Sequence, residues 1–274
     1  MVKYFPNFNE NMNIIYTVSG SVPFSECLKA KKKGIPIIQH INSVYHPAYR
    51  KNFEKMNEEI RKIFNIADYY VFGSEYAKEG ARRYLGEINK PSSIIFNAVD
   101  LNHFAPVKRP DKRCNILVIG RHYIRHRIEP VIRAMPYINK LIPQARLIIA
   151  GELISGEGIF NCSKDSMLDI VKEVGVNNIE YLGSYNQNEA PSLYNMGDIL
   201  VHTKHMDWTP NTVIEGMACG LPIVYSGNGG ISELVCDAGI SLELPFDWDN
   251  LHEPSPDQLA RAVVKAFKNK NKLG

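Results

Sequence analysis

Apolar residues along this chain recur in two rhythms: short, β-branched runs, and longer segments with an apolar position every three or four residues. The short runs predict strands at 13–18, 35–41, 69–73 and 93–96, and the longer rhythm predicts helices at 23–33, 50–65 and 75–85. A stretch with two prolines and four Lys or Arg, 106–113, breaks the pattern and reads as a linker. Beyond it, strands are expected at 115–119, 146–150, 179–182, 199–201 and 223–225, with helices at 128–138, 164–174, 187–196 and 211–219. A last helix is expected at 256–268, after Ser255-Pro256-Asp257. Strand alternating with helix predicts parallel sheets covered by helices. The fold class is therefore α/β, with two Rossmann-like domains expected at 1–108 and 109–274.

Composition changes this picture little. A chain of 274 residues has room for two modest domains, and 45% apolar with 22% charged residues is ordinary for a globular protein. No apolar run approaches the roughly 18 residues of a membrane span, and the N-terminus lacks a signal-peptide layout. A net charge of +3 gives no footprint for nucleic acid. The five cysteines, Cys27, Cys114, Cys162, Cys219 and Cys236, are odd in number and form no C-x-x-C, which suits reduced thiols in a cytoplasmic setting. Lysines 29, 31, 32 and 33 crowd the end of the first helix, where cations suit the helix dipole. A basic patch facing a membrane surface is the second reading of the same lysines. No G-x-G-x-x-G follows a strand and no histidine pair sits at ligand spacing on a helix, so neither a nicotinamide cofactor nor a metal is expected.

The chemistry gathers in residues 199–233. An apolar strand, a polar aromatic loop, a helix opened by Thr209-Pro210-Asn211-Thr212 and closed by Gly220, a second strand and the run Gly227-Asn228-Gly229-Gly230 make one βαβ unit. Both of its crevice loops fall on the sheet edge where open α/β sheets hold ligands. The helix N-terminus offers amides to an anion. Asp207 in the loop and Glu215 one turn into the helix frame that anion site with carboxylates. An anion flanked by acids fits the middle of a longer ligand with hydroxyls at both ends, and a nucleotide-diphosphate sugar has that layout. An ordinary βαβ unit with an acidic helix is the plain alternative.

This segment resembles the donor-site motif of the retaining glycosyltransferases of family 4, which have the GT-B fold. Glu215 stands at the motif's second Glu, and Met217-Ala218-Cys219-Gly220-Leu221-Pro222 at its small-residue run. Gly229, Gly230 and Glu233 match its tail. Asp207 takes the place of the first Glu, and Trp208-Thr209 that of the family's Phe-Gly. Asn97-Ala98-Val99-Asp100, with Phe104 and Pro106, is similar to the family's approach to its second domain. The resemblance implies a metal-independent hexosyl transfer from a nucleotide-diphosphate sugar to a hydroxyl of a glycan or lipid-linked acceptor. It also implies an N-terminal domain shorter than usual.

By the same resemblance, Asp207 holds the transferred sugar, Glu215 the ribose, and Gly120-Arg121 opens the diphosphate grip. The family's Lys falls at His126, so either His126 is protonated by the ligand's field or a neighbouring arginine, such as Arg125, substitutes. Gly183 and Tyr185 are expected near the base, and Asn42 where the family often has a His beside the sugar. The expected catalytic set is Arg121, Asp207 and Asn42. The donor set adds Gly120, Arg125, His126, Gly183, Tyr185, Thr209, Pro210, Asn211, Thr212 and Glu215. A non-catalytic sugar-nucleotide binder, or a subunit whose partner completes the acceptor side, is the alternative, favoured by the departures at Asp207, Trp208 and His126.

Overall fold

The structure is a computed structural model that describes residues 12–107 and 114–273. The chain forms two compact units. One holds residues 12–96 and takes back Trp248–Asn250; the other holds 97–247 and 251–273. The expected linker lies mostly at 108–113, outside the described residues, and packing of the second unit already begins at Asn97.

In the first unit, β1 (Ile15–Val18), β2 (Ile37–Ile41), β3 (Tyr69–Phe72) and β4 (Ser92–Ile94) lie in chain order, all parallel. Helices α1 (Phe24–Lys32), α2 (Phe53–Ile66) and α3 (Glu75–Tyr84) make the crossovers. Ile37, Ile41, Phe64, Tyr70 and Phe72 are fully buried, and Phe64 stacks on Tyr70 at 4.2 Å. Gln39 is buried among them because its amide donates to Ser19 O and Ile60 O, which offsets its desolvation. Trp248 is the anchor of the returning segment. Its indole stacks on Tyr76 at 5.1 Å, meets Tyr84 and His46 edge-on, and its carbonyl accepts from Ala48 N. No periodicity predicts this, since a single tryptophan from far along the chain fills the hole.

The second unit has six parallel strands: β5 (Asn115–Ile119), β6 (Arg146–Ala150), β7 (Ile179–Tyr181), β8 (Ile199–His202), β9 (Ile223–Ser226) and β10 (Gly239–Leu242). Their order is β10-β9-β8-β5-β6-β7. Its helices are α4 (Glu129–Leu141), α5 (Lys164–Val174), α6 (Ala190–Tyr194), α7 (Asn211–Ala218), α8 (Ile231–Val235), α9 (Pro256–Lys268) and α10 (Lys270–Leu273). Alternation within β5 explains the two cores. Ile116 and Val118 pack with α4, α5 and α9 on one face, while Leu117 and Ile119 pack with α6, α7 and α8 on the other. A parallel sheet covered on both faces reads as an unbroken apolar run, as β5 does.

The predicted elements recur within a few residues, with one shortening and three additions, β10, α8 and the short α10. Strand β10 and helix α8 escape the sequence pattern because each is short, and β10 is a half-exposed edge opened by a glycine. Helix α6 begins at 190 rather than 187 because the Asn186 side chain accepts from Asn188 N and Glu189 N, holding those residues in a turn.

Removing the Trp248 side chain should cost about 3–5 kcal/mol of stability, as for other buried aromatics cut to alanine. Calorimetric unfolding of Trp248→Ala checks this. A loss under about 1 kcal/mol would mean that the segment is only resting on the first unit.

Candidate functional site

The strand order puts β5 between β6 and β8, so the chain leaves β5 towards one side of the sheet and reaches β8 on the other. The loops after β5 and β8 therefore part, and the crevice between them is the switch point of the sheet. Backbones meet here without side chains between them. Gly120 and Gly151, just past β5 and β6, have φ of +126° and +120°. A Cβ on Gly151 would fall 1.8 Å from Gly120 O, so that position admits glycine alone. A Cβ on Gly120 would meet Arg127 Nη2 at 2.9 Å and Thr212 Cγ2 at 3.2 Å. Those two side chains, from the loop after β5 and the first turn of α7, thus face the same point.

Helix α7 is pressed onto the sheet, since a Cβ on Gly216 would come within 2.6 Å of Leu200 Cδ2. Its N-cap is Pro210, which supplies no capping side chain. Val213 N donates to Pro210 O at 3.1 Å, and the Asn211 and Thr212 amides have no carbonyl four residues back within the helix to receive them. The hydroxyls of Thr209 and Thr212 beside them are buried with no hydrogen-bond partner among the described residues. Asn97 fixes the entry by donating to Thr209 O at 3.0 Å and Asn211 Oδ1 at 2.9 Å. From the other side, Gly230 N donates to Asp207 O, and Asn228 accepts from Met206 N and bonds to His205. The loop is held rigidly, with uncapped donors at its end.

The two carboxylates have different surroundings. Glu215, half-buried, accepts from the fully buried Tyr194 hydroxyl at 2.8 Å and from Gln187 Nε2 at 3.1 Å. Asp207 is buried, accepting from Trp208 N and Lys204 Nζ on one oxygen and facing His202 Nε2 at 2.7 Å on the other. Arg127 is buried too, donating to Arg121 O at 2.6 Å and Ile119 O at 3.3 Å.

Comparison with known proteins places the chain in a family. The profile of the family described as Glycosyl transferases group 1 matches residues 100–273, more than half of the chain. The chain belongs to that family. It is 27% identical over 214 residues to a phosphatidylinositol N-acetylglucosaminyltransferase subunit of Arabidopsis thaliana, covering 77% of this chain. It spans 44% of the length of that relative. Among solved structures, sucrose-phosphate synthase of Thermosynechococcus elongatus superposes with a TM-score of 0.76 at 17% identity, covering 98% of this chain and 67% of the other. The Anabaena protein HepE, solved with UDP-glucose, gives 0.75 at 18% identity, covering 95% of this chain and 70% of the other. These likenesses establish the GT-B fold.

Within this group 1 glycosyltransferase framework, the expected residues divide. Gly120, Asp207, Thr209, Pro210, Asn211, Thr212 and Glu215 come together around the opening of α7. Gly183 (φ +80°) accepts from Gly151 N, and Tyr185 lies beside Glu215, the pKa of its hydroxyl pushed up to about 12 by burial and then by that carboxylate. Arg121 stands mostly exposed in an ion pair with Glu152 at 3.0 Å. Arg125 turns to Glu129 on α4. Asn42 is exposed just past β2, in the first unit. His126 lies inside the packing rather than at the surface. It is 1% exposed, and burial, then His205, Lys204 and Arg127, push the pKa of its imidazole down to about 3. The next residue, Arg127, brings its guanidinium beside Gly120. Its neighbours in sequence are also basic, so the pattern alone could not single it out.

The electrostatics follow from burial. His122 is likewise held down to about 3 by burial and then by Arg127, and burial lowers His202 and His205. Burial alone would raise the Asp207 carboxyl, but the Lys204 charge and the His202 hydrogen bond outweigh it and keep the group ionised. Asp207 and Lys204 offset each other, and Arg127 sets a positive charge beside the amides that open α7, with the Glu215 carboxylate one turn further in. Amides and guanidinium together favour an anion at the helix opening.

For His122 and His126 the native pKa lies below the unfolded value, so the unfolded chain binds protons first as pH falls. Stability should be complete above about pH 6.5 and decline towards pH 3, by about 1.4 kcal/mol per pH unit for each histidine. Denaturant titrations between pH 7 and 5 measure the slope. A flat profile would mean that both imidazoles are open to water.

Proposed function

We propose that the chain transfers a hexosyl group from a nucleotide-diphosphate sugar to a hydroxyl of a glycan or lipid-linked acceptor, with retention and without a metal. The observation that carries this reading is the uncapped start of α7 beside the buried Arg127, with two unpartnered threonine hydroxyls at the same place. The diphosphate accepts from the first-turn amides and hydroxyls of α7. Glu215, oriented by Tyr194 and Gln187, takes the ribose hydroxyls. As the bond to the sugar breaks, negative charge gathers on the leaving diphosphate, where fixed dipoles and Arg127 are already aimed, so no reorganisation is needed at that moment. Exposed Arg121 swings from Glu152 to the outer phosphate. Asn42 is the residue proposed for the first unit's part in catalysis.

Family membership and the UDP-glucose bound in HepE support a nucleotide-sugar donor. The cytoplasm supplies such donors, and the membrane surface is the natural place for a lipid-linked acceptor. On α1, Lys29 and Lys31 are already paired with Glu26 and Asp68, which thins the basic patch available for lipid. One observation favours the second reading, a binding subunit completed by a partner: Asp207, expected to catch the sugar, is engaged by Lys204 and His202.

Glu215→Gln should weaken donor binding by about 1.5–3 kcal/mol, the worth of charged hydrogen bonds. Calorimetric titration with UDP-, GDP- and ADP-sugars checks it, with turnover assayed in parallel. A parent chain that binds none of them would refute the donor site. Binding without transfer or donor hydrolysis would favour the subunit reading.

A further inference from the structure

Asp207 is poorly arranged to catch a sugar. A carboxylate has about four lone-pair sites, and three of Asp207's are occupied: by Lys204 Nζ, by Trp208 N at 3.0 Å and by His202 Nε2 at 2.7 Å. The group is 7% exposed, and its backbone carbonyl is pinned by Gly230 N. Lys204 is the reverse case. It has three N–H donors, and Asp207 takes one. It leaves the sheet just past β8 and holds its ammonium 5.8 Å from the Tyr123 ring in the loop after β5. The ammonium thus lies between the loops after β8 and β5 on a side chain that is 13% exposed, with Arg127 on the β5 side.

Resting on the donor reading above, we propose that Lys204 is a ligand of the donor's diphosphate and that Asp207 is the positioning residue that holds its ammonium there. Lys204 and Arg127 then make a two-sided cationic grip around the opening of α7, with one cation on each loop of the crevice. The arrangement has a physical logic. A buried ammonium without a counter-charge would lose its proton or its place, and Asp207 prevents both. Three points of support on Asp207 fix the direction from which Lys204 meets the ligand. When an anion binds, the two remaining N–H groups of Lys204 turn to it without breaking the bond to Asp207. Asp207 acts through Lys204 and contacts neither phosphate nor sugar.

The test titrates the full chain calorimetrically with UDP, GDP and ADP, then with the sugar form of whichever binds tightest. Lys204→Met should weaken nucleoside-diphosphate binding by about 10- to 100-fold, and Lys204→Arg should restore it to within a few-fold. Asp207→Asn should weaken the diphosphate and the nucleotide sugar by the same factor, because the loss is in the grip on phosphate. Should Lys204→Met fold poorly with Asp207 left alone, the paired variant Lys204→Met/Asp207→Asn removes both charges and should show the same weakened diphosphate binding. Unchanged diphosphate affinity in Lys204→Met or in the paired variant overturns the role of Lys204 while leaving the donor site standing. A loss in Asp207→Asn confined to the nucleotide sugar overturns the positioning role and returns Asp207 to the sugar. A parent that binds no nucleoside diphosphate overturns the donor reading and this inference with it.

Discussion

The second unit depends on two backbones touching at the middle of its sheet. Gly120 and Gly151 lie so close that no side chain fits between them, and Gly216 brings α7 down onto β8 with similar economy. These contacts set where the loops after β5 and β8 leave the sheet, and so how near Arg127 and Thr212 approach each other. A bulkier residue at any of the three would push apart the parts that make the crevice. Among the described residues of the first unit no glycine is pressed so close, and its packing comes instead from aromatic rings, with Trp248 supplied from far along the chain.

Charge is distributed as sparingly as space. Four imidazoles surround the crevice, and burial keeps them from adding charge of their own. Asp207 and Lys204 neutralise each other within the loop. The Arg127 guanidinium and the positive end of an uncapped helix face one place, with the Glu215 carboxylate a turn beyond and the Lys204 ammonium held by Asp207. Bare helix donors without a capping side chain cost stability, and the family's chemistry gives a reason for bearing that cost.

Much of this is legible in the sequence. The strands β5, β6 and β8 and the helices α5 and α9 follow directly from apolar runs, serine caps and the glycine at the end of α5. The span 256–268 is found as expected. The motif around Glu215 is legible because it is local, with spacing along one helix setting one face. What stays hidden depends on burial. Nothing in the string His122 to Arg127 says which basic residue turns inward; the tertiary packing puts His126 in the dark and Arg127 against Gly120. The same holds for Lys204, which reads as a polar loop residue until the fold encloses it with Asp207. Trp248 escapes for a related reason, because its partners are remote in the chain and leave no period behind, whereas β10 escapes because it is a short, half-exposed edge.

The central claim is that an anion rests on the first-turn amides of α7. A crystal structure of the chain with a bound nucleoside diphosphate tests it most directly. The account predicts phosphate oxygens within about 3.2 Å of the Asn211 or Thr212 amide nitrogens, with Glu215 at the ribose. A diphosphate bound elsewhere while the start of α7 stays unliganded would contradict it.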